Sequence, residues 1–414
     1  MDVNVVLLIS ILTTQCGTQT VQNVKDLRTY LFTTNAYDVR VRPIANQSDP
    51  VDISFGLSLI NIVNLDVVQE VLYASVVLNL SWNDTELGWD PTSYGDLQSI
   101  QLPQGDVWTP NIILKNSQSG ASGLGYAALN VKVWNNGTVE WFPSETFAAI
   151  CNINVKYFPF DTQTCPLTFI AYGYLPSEVI LSGVPGGVDI GDYETSPIWT
   201  LVSTSYSVEV QDDDVKIVFN IELKRKALFT VISVILPVLM LTFLNLCVFF
   251  VPCTGGEKSG YSVTIFLSFA VFLTLVEATM PPTSSPISLL SVYMIIMTAE
   301  STVITIITQI MIRCSTFDEK KTIIPHWLIV LAELGKFKYC RAKCVRSKND
   351  EVTSVDEKAD GVKGVVEAFE DNTKSEKIYT WVEVMNGLDC FLFIVFGIFT
   401  VLVAIVMLSV LGSS

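Results

Sequence analysis

Histidine is almost missing from this 414-residue chain, which carries only His326. One imidazole leaves few routes to acid–base catalysis, and the chain has no His-Glu-x-x-His pair, Cys-x-x-Cys spacing or Gly-rich phosphate loop. An enzymatic or metal-centred reading has little to stand on, and no cofactor is expected. Positive charge is also scarce. The 25 Lys and Arg are outnumbered by 41 Asp and Glu, a formal net charge of −16. That balance excludes a nucleic-acid partner, whose phosphate backbone demands a basic face. Charged residues make up 16% of the chain against 50% hydrophobic ones. A mean hydropathy of +0.45 is too greasy for an ordinary soluble protein, and the length allows two domains. No internal repeat is visible.

The hydrophobic content is unevenly distributed. Residues 1–16 hold a short apolar core, Val5 to Leu12, followed by small and polar residues. It is too short to cross a bilayer and reads as a secretory signal peptide, although its first residues lack Lys and Arg. Four Asn-x-Ser/Thr sequons follow at Asn46, Asn79, Asn83 and Asn136, as an exported amino-terminal domain would carry. Thr20 to Thr33 places Val21, Val24, Leu27, Tyr30 and Leu31 at helical spacing, which predicts a surface helix. From Asp52 to Leu223 short alternating runs broken by Gly, Pro, Asn and Asp predict a β-sandwich.

Four apolar runs come next: Ala227–Val251, about Ser259–Met280, Ile287–Ile312 and Leu388–Leu411. At 1.5 Å per residue, each is long enough for a helix crossing a roughly 30 Å hydrocarbon core. Pro237 lies inside the first, where packing against other spans can re-satisfy the freed carbonyl. The charged segment after the third span is rich in Lys and Arg, which makes it cytoplasmic and puts both termini outside. Within it, Pro325–Cys344 predicts an amphipathic helix lying along the inner leaflet, with Trp327, Leu328, Leu331, Leu334 and Phe337 on one side. Its Cys340 and Cys344 are either reduced thiols or palmitoylation sites. Asp350–Asp360 reads as a flexible linker and Val362–Met385 as a charged helix running into the fourth span.

Cys151 and Cys165 enclose thirteen residues that include Phe158-Pro159-Phe160-Asp161, with two aromatics that read as exposed on a Pro-stiffened turn. Together with Trp82, Trp108-Thr109-Pro110, Pro237, Gly256-Glu257-Lys258 and Met280-Pro281, this pattern resembles the Cys-loop receptors, the pentameric ligand-gated ion channels. The resemblance covers nearly the whole chain. It implies a Cys151–Cys165 disulfide and an extracellular all-β sandwich on a four-helix transmembrane domain, assembled from identical or related subunits in the plasma membrane. The expected segments are a signal peptide (1–16), the ligand-binding sandwich (17–224), three spans (225–312), an intracellular loop (313–386) and a fourth span (387–414). The partners implied are a small-molecule agonist, permeant cations and membrane lipid.

The second span carries the expected pore. Gly260, Thr264, Leu267, Val271, Thr274 and Ala278 recur at alternating steps of four and three, which places them on one helical stripe. Tyr261, Ile265, Phe266, Phe269, Phe272, Leu273 and Val276 occupy the rest of the helix. Several copies around an axis turn each stripe residue into a ring. Leu267 and Val271 would close the pore by dewetting, and Glu257 would favour cations at the inner mouth. Gly256-Glu257-Lys258 resembles the cation-selective, nicotinic-like branch, whereas anion-selective members carry an inserted Pro-Ala-Arg. An anion-conducting channel and a partner-dependent, non-conducting subunit are the alternatives.

The resemblance also implies an agonist box between neighbouring sandwiches, and here the positions depart from the family pattern. Tyr172 stands for the usual loop B Trp, with Tyr174 beside it; Lys115 stands for the loop A aromatic. Tyr206 is the aromatic of loop C, which has no adjacent Cys pair but carries Asp212, Asp213 and Asp214. The opposing face is expected at Val77, Asn79, Glu140 and Phe142, with Val77 replacing a Trp. Lys115 would repel a quaternary amine at close range and attract a zwitterion or an anion. Gating is expected to pass from Asp66, Phe158, Pro159, Phe160, Asp161 and Arg225 to the linker from Pro281 to Pro286, where Ser288 stands in place of a usual Pro.

Overall fold

The computed structural model describes residues 19–211, 214–282, 286–317, 323–335 and 379–412. The expected signal peptide, Asp212, Asp213, Cys340, Cys344, the Asp350–Asp360 linker and most of the 313–386 segment lie outside the described residues. The chain divides into two compact units. One comprises residues 1–154 and 162–226, the other Val155–Asp161 together with 227–414.

The first unit is a two-sheet β-structure, and period-two alternation builds it. In strand β2 (Val71–Gly88), Leu72, Ala74, Val76, Leu78, Leu80 and Trp82 are buried, while Tyr73, Ser75, Val77, Asn79 and Ser81 face the other side. One sheet runs in the order β3 (Ser99–Pro103), β5 (Asn130–Trp134), β6 (Asn136–Trp141), β2, β1 (Val51–Asp66) and β9 (Val179–Asp189). Strand β7 (Ser144–Ile150) pairs with the other half of β2, and β9 joins β1 in parallel. The second sheet is β10 (Trp199–Gln211), β11 (Asp214–Arg225), β8 (Thr162–Ala171) and β4 (Ile112–Leu114). Phe55 of the first sheet meets Phe169 and Phe219 of the second at 5.2 and 5.6 Å between ring centroids, tying the two layers together.

Helix α1 (Val21–Thr29) starts at Thr20, whose hydroxyl accepts from the Asn23 N–H. A π-turn, Tyr30–Thr34, follows. Of the five apolar positions expected to hold this helix, only Leu27 and Leu31 are buried; Val21 and Tyr30 are exposed and Val24 is half-buried.

The second unit has four helices long and apolar enough to cross a membrane: α2 (Leu228–Phe250), α3 (Glu257–Glu277), α4 (Leu289–Ser315) and α6 (Trp381–Gly412). A π-turn at Val231–Ile235 precedes Pro237, which has no N–H to donate and whose ring crowds the preceding turn. The short helix α5 (His326–Gly335) splits the apolar side expected of it. Leu328 and Leu331 pack with Trp381, Val384 and Leu388 of α6, while Trp327 and Leu334 are exposed. Glycine permits this approach, since a Cβ on Gly335 would stand 2.3 Å from the Gly387 carbonyl.

Candidate functional site

The Cys151–Cys165 disulfide is formed, joining the end of β7 to β8 with 5.0 Å between Cα atoms. Gln163 braces the same loop from inside. Its Oε1 accepts from the Asn154 N–H at 2.8 Å and its Nε2 donates to the Asn154 carbonyl at 2.9 Å, imitating a strand pair. The tip, Val155–Asp161, clusters with the helical unit, and the Leu289 N–H at the start of α4 donates to the Lys156 carbonyl. The reading of two exposed aromatics needs correction. Phe158, Pro159 and Asp161 are buried and only Phe160 is exposed, because the loop folds its apolar side inward.

The other expected gating residues have distinct local tasks. Asp66 closes the β1–β2 turn by accepting from the Val68 and Gln69 N–H groups. Arg225 lies 4.3 Å over the Trp199 ring of the neighbouring strand. Pro281 is buried and Pro286 half-buried; residues 283–285 between them lie outside the described residues.

The ligand-face candidates separate into two sets. Val77 and Asn79 share the outward side of β2, and Glu140 pairs across from Ser81 on that same side. Phe142 follows β6 and is exposed. In the opposing set Lys115, Tyr172 and Tyr206 are exposed and Tyr174 is half-buried. Tyr206 pairs with Phe219 and lays one side of its ring on β9, in the space left by two glycines, while remaining 38% exposed. A Cβ on Gly183 or Gly187 would lie 2.0 or 2.3 Å from that ring. Tyr174 packs edge-on against buried Trp108, so of the three candidate tyrosines Tyr172, 57% exposed, presents the most open ring.

Lys115 is not a free cation. Its Nζ donates to Asp214 Oδ2 at 2.7 Å, which ties the start of β11 to the end of β4 on the outward side of the second sheet. The half-exposed pair is worth at most about 1 kcal/mol, yet it neutralises the charge that would have met a ligand.

On α3 the expected stripe is continuous. Glu257, Gly260, Thr264, Leu267, Val271, Thr274 and Ala278 are all exposed in the single chain, with Leu267 at 60%. Lys258, Ser262, Ile265, Phe269 and Val276 are buried on the other side, and Phe266 is intermediate. The hydroxyls of Thr264, Ser268 and Thr274 donate to the carbonyls of Gly260, Thr264 and Val271, so their hydrogens are satisfied within the helix.

Among the sequons, Asn46, Asn83 and Asn136 are exposed. Asn79 lies mid-strand, paired opposite Gly56, with its Nδ2 donating to Ser58 Oγ at 2.9 Å; that engagement makes it the poorest acceptor of the four.

Three polar nodes were not picked out from sequence. Tyr37 donates to buried Asp84 at 2.7 Å and accepts from the Trp108 N–H. Burial raises the Asp84 carboxyl above its ordinary range, and burial together with that carboxylate pushes the Tyr37 phenol well up. In the second unit, Thr400 of α6 donates to buried Glu300 of α4, and Lys258 of α3 pairs with Asp389 of α6. A charged residue inside an apolar run was the available signal, but its partner sits 100 or 131 positions away.

Residues 24–227 match the neurotransmitter-gated ion-channel ligand binding domain, and residues 234–331 the neurotransmitter-gated ion-channel transmembrane region. Similar proteins include the acetylcholine receptor subunit beta-type lev-1 of Caenorhabditis elegans, 36% identical over 262 residues, covering 63% of this chain and 51% of the relative. The beta-type subunit acr-3 of the same organism is 33% identical over 306 residues, 73% of this chain and 62% of the relative. The acetylcholine receptor subunit epsilon of Xenopus laevis is 32% identical over 326 residues, 72% of this chain and 63% of the relative. The chain thus spans between half and two thirds of the length of these relatives.

Proposed function

Because the chain belongs to the neurotransmitter-gated ion-channel, or Cys-loop, family, we propose that it is one subunit of a pentameric, ligand-gated, cation-selective channel of the plasma membrane. The family is one of channels, not enzymes. The observation that carries the reading is the exposed stripe of α3. Leu267 and Val271 sit uncovered on the face opposite the buried side of the helix, flanked by hydroxyls and ending in the carboxylate of Glu257. Five copies around an axis convert that face into a water-lined path with a hydrophobic neck. Leu267 and Val271 form the gate, and Glu257 selects cations at the cytoplasmic mouth.

Ligand capture in the sandwich is relayed through Asp66, the Cys151–Cys165 loop and Arg225 to the start of α4. Asn46, Asn83 and Asn136 carry the glycans of the exported domain.

One observation favours a partner-dependent form of this reading. The loop C tyrosine packs against Phe219 and two glycines of β9, leaving 38% of it exposed, and Lys115 is engaged by Asp214. The chain therefore contributes the β2–β6 surface, with Val77, Asn79, Glu140 and Phe142, while a related subunit supplies the aromatic side of the agonist box. The similar proteins are named acetylcholine receptor subunits, which supports a small neurotransmitter as the agonist of such a mixed pentamer.

The test is Leu267→Thr, in the chain expressed alone and with related subunits. A hydroxyl from each copy of the variant in the neck stabilises the wet state, so current without agonist is expected, carried by sodium when ions are substituted. Phe266→Ser, one position off the stripe, should reduce surface expression because it strands a hydroxyl among helices. A silent Leu267 variant beside a leaking Phe266 variant sinks this facing of the helix.

A further inference from the structure

At the foot of α3 two adjacent charges part company. Glu257 is exposed and has no ion-pair partner among the described residues, whereas Lys258 is 0% exposed. A step of one residue turns about 100° around a helix, enough to send one side chain to the pore face and the next into the subunit. Lys258 Nζ lies 2.5 Å from Asp389 Oδ1 on α6 and 3.5 Å from Cys253 Sγ, which in turn donates to Asp389 Oδ2 at 3.5 Å. Apolar side chains of Met311, Trp381, Val384, Met385 and Leu388 surround Cys253 there. Lys258 is the only cation within ion-pair distance of Asp389 among the described residues.

We infer that Asp389, on the helix most remote in sequence from the pore, is a specificity-determining positioning residue that holds the Lys258 ammonium out of the ion path and leaves Glu257 as the net charge of the inner mouth. The inference rests on the cation-channel reading. The physical argument is one of charge placement. A buried ammonium without its counter-ion is strongly disfavoured. The four-carbon stem of lysine is flexible, and the nearest exposed carboxylate along the chain belongs to Glu257. With Asp389 ionised, each subunit presents one negative charge at the mouth. With Asp389 neutral, Lys258 swings out beside Glu257 and each subunit presents none, so the ring loses its sign. Asp389 touches no permeant ion and acts only through where it keeps Lys258.

The experiment uses the full-length chain in its channel-forming assembly, on the Leu267→Thr background, with reversal potentials read under sodium chloride dilution and unitary conductance measured in the same patches. Asp389→Asn should raise relative chloride permeability by at least about threefold and lower inward conductance. Asp389→Glu should keep the parent values because it still offers the ammonium a counter-ion, and the double variant Lys258→Gln/Asp389→Asn should restore them because it deletes the ammonium. A purely structural role does not predict rescue by deleting the lysine. Parent-like permeability and conductance in surface-expressed Asp389→Asn overturn the proposal, as does a double variant as impaired as the single one. If Asp389→Asn does not reach the surface, the double variant decides: parent-like expression and selectivity trace the defect to the unpaired lysine, whereas absence from the surface assigns Asp389 to packing alone and overturns the idea. A Leu267→Thr channel that is silent or passes chloride refutes the parent reading whatever happens at position 389.

Discussion

Removing the Cys151–Cys165 bond is the perturbation whose magnitude is best worked from the structure. The two sulfurs are separated by 14 positions and close a loop of the size for which the chain-entropy model assigns about 3 kcal/mol at 25 °C. Both cysteines are fully buried, so the replacement matters. Cys151→Ala with Cys165→Ala removes the cross-link with little new polarity, and the expected loss stays near that 3 kcal/mol, more than a hundredfold in the folded-to-unfolded ratio. The Gln163–Asn154 bonds survive and keep the loop base in register. Cys151→Ser with Cys165→Ser strands two hydroxyls in the same space and should cost about 1–3 kcal/mol more for each that finds no partner. Against a total stability of about 5–15 kcal/mol for a typical domain, the Ala pair should assemble poorly and the Ser pair not at all. The assay is surface biotinylation together with the fraction of oligomer surviving heating in detergent. An Ala pair as abundant and heat-resistant as the parent refutes the cross-link argument; a Ser pair hardier than the Ala pair refutes the burial argument.

Glu257→Ala should lower the preference for cations over anions several-fold and weaken the passage or block of divalent ions, because the carboxylate ring acts at a range that salt screens little; unchanged reversal potentials place the filter elsewhere. Gly183→Ala puts a methyl 2.0 Å from the Tyr206 ring and should cost about 1–3 kcal/mol of thermal resistance, largely recovered when Tyr206→Ala is added. Asp84 has a folded-state pKa raised by burial, so the native state holds its proton more tightly than the unfolded chain. Its contribution to stability is therefore greatest below the unfolded value and declines as pH rises through the window up to the folded one. Asp84→Asn should flatten that part of a stability–pH curve, and a slope as steep as the parent's counts against the assignment.

The fold was readable because its periodicities are strong. Alternation along β2 and the four long apolar runs each leave one structural choice, and the helix bounds came out within a few residues; in α6 the residues from Trp381 to Met385 are the end of the charged helix expected to run into the span. The stripe from Gly260 to Ala278 was equally legible, since its spacing is local to one helix and the opposite side is packed. The ligand face was not. Tyr206 has the composition of a binding aromatic, but which way it points depends on its pairing with Phe219 and on two glycines of another strand. Lys115 reads as a free cation until the β10–β11 hairpin brings Asp214 within hydrogen-bonding reach.

By itself, then, the sequence determined the succession of strands and spans along the chain, the bracketing cysteines and the polarity of the α3 stripe, because those depend on spacing along one segment. Only the tertiary structure decided which charges are available. Lys115 with Asp214, Lys258 with Asp389 and Glu300 with Thr400 are pairs 99, 131 and 100 positions apart, and no local pattern encodes a partner at that distance. What a charge does in this protein follows from what it touches, and that is set when separate strands and helices close on one another and exclude water.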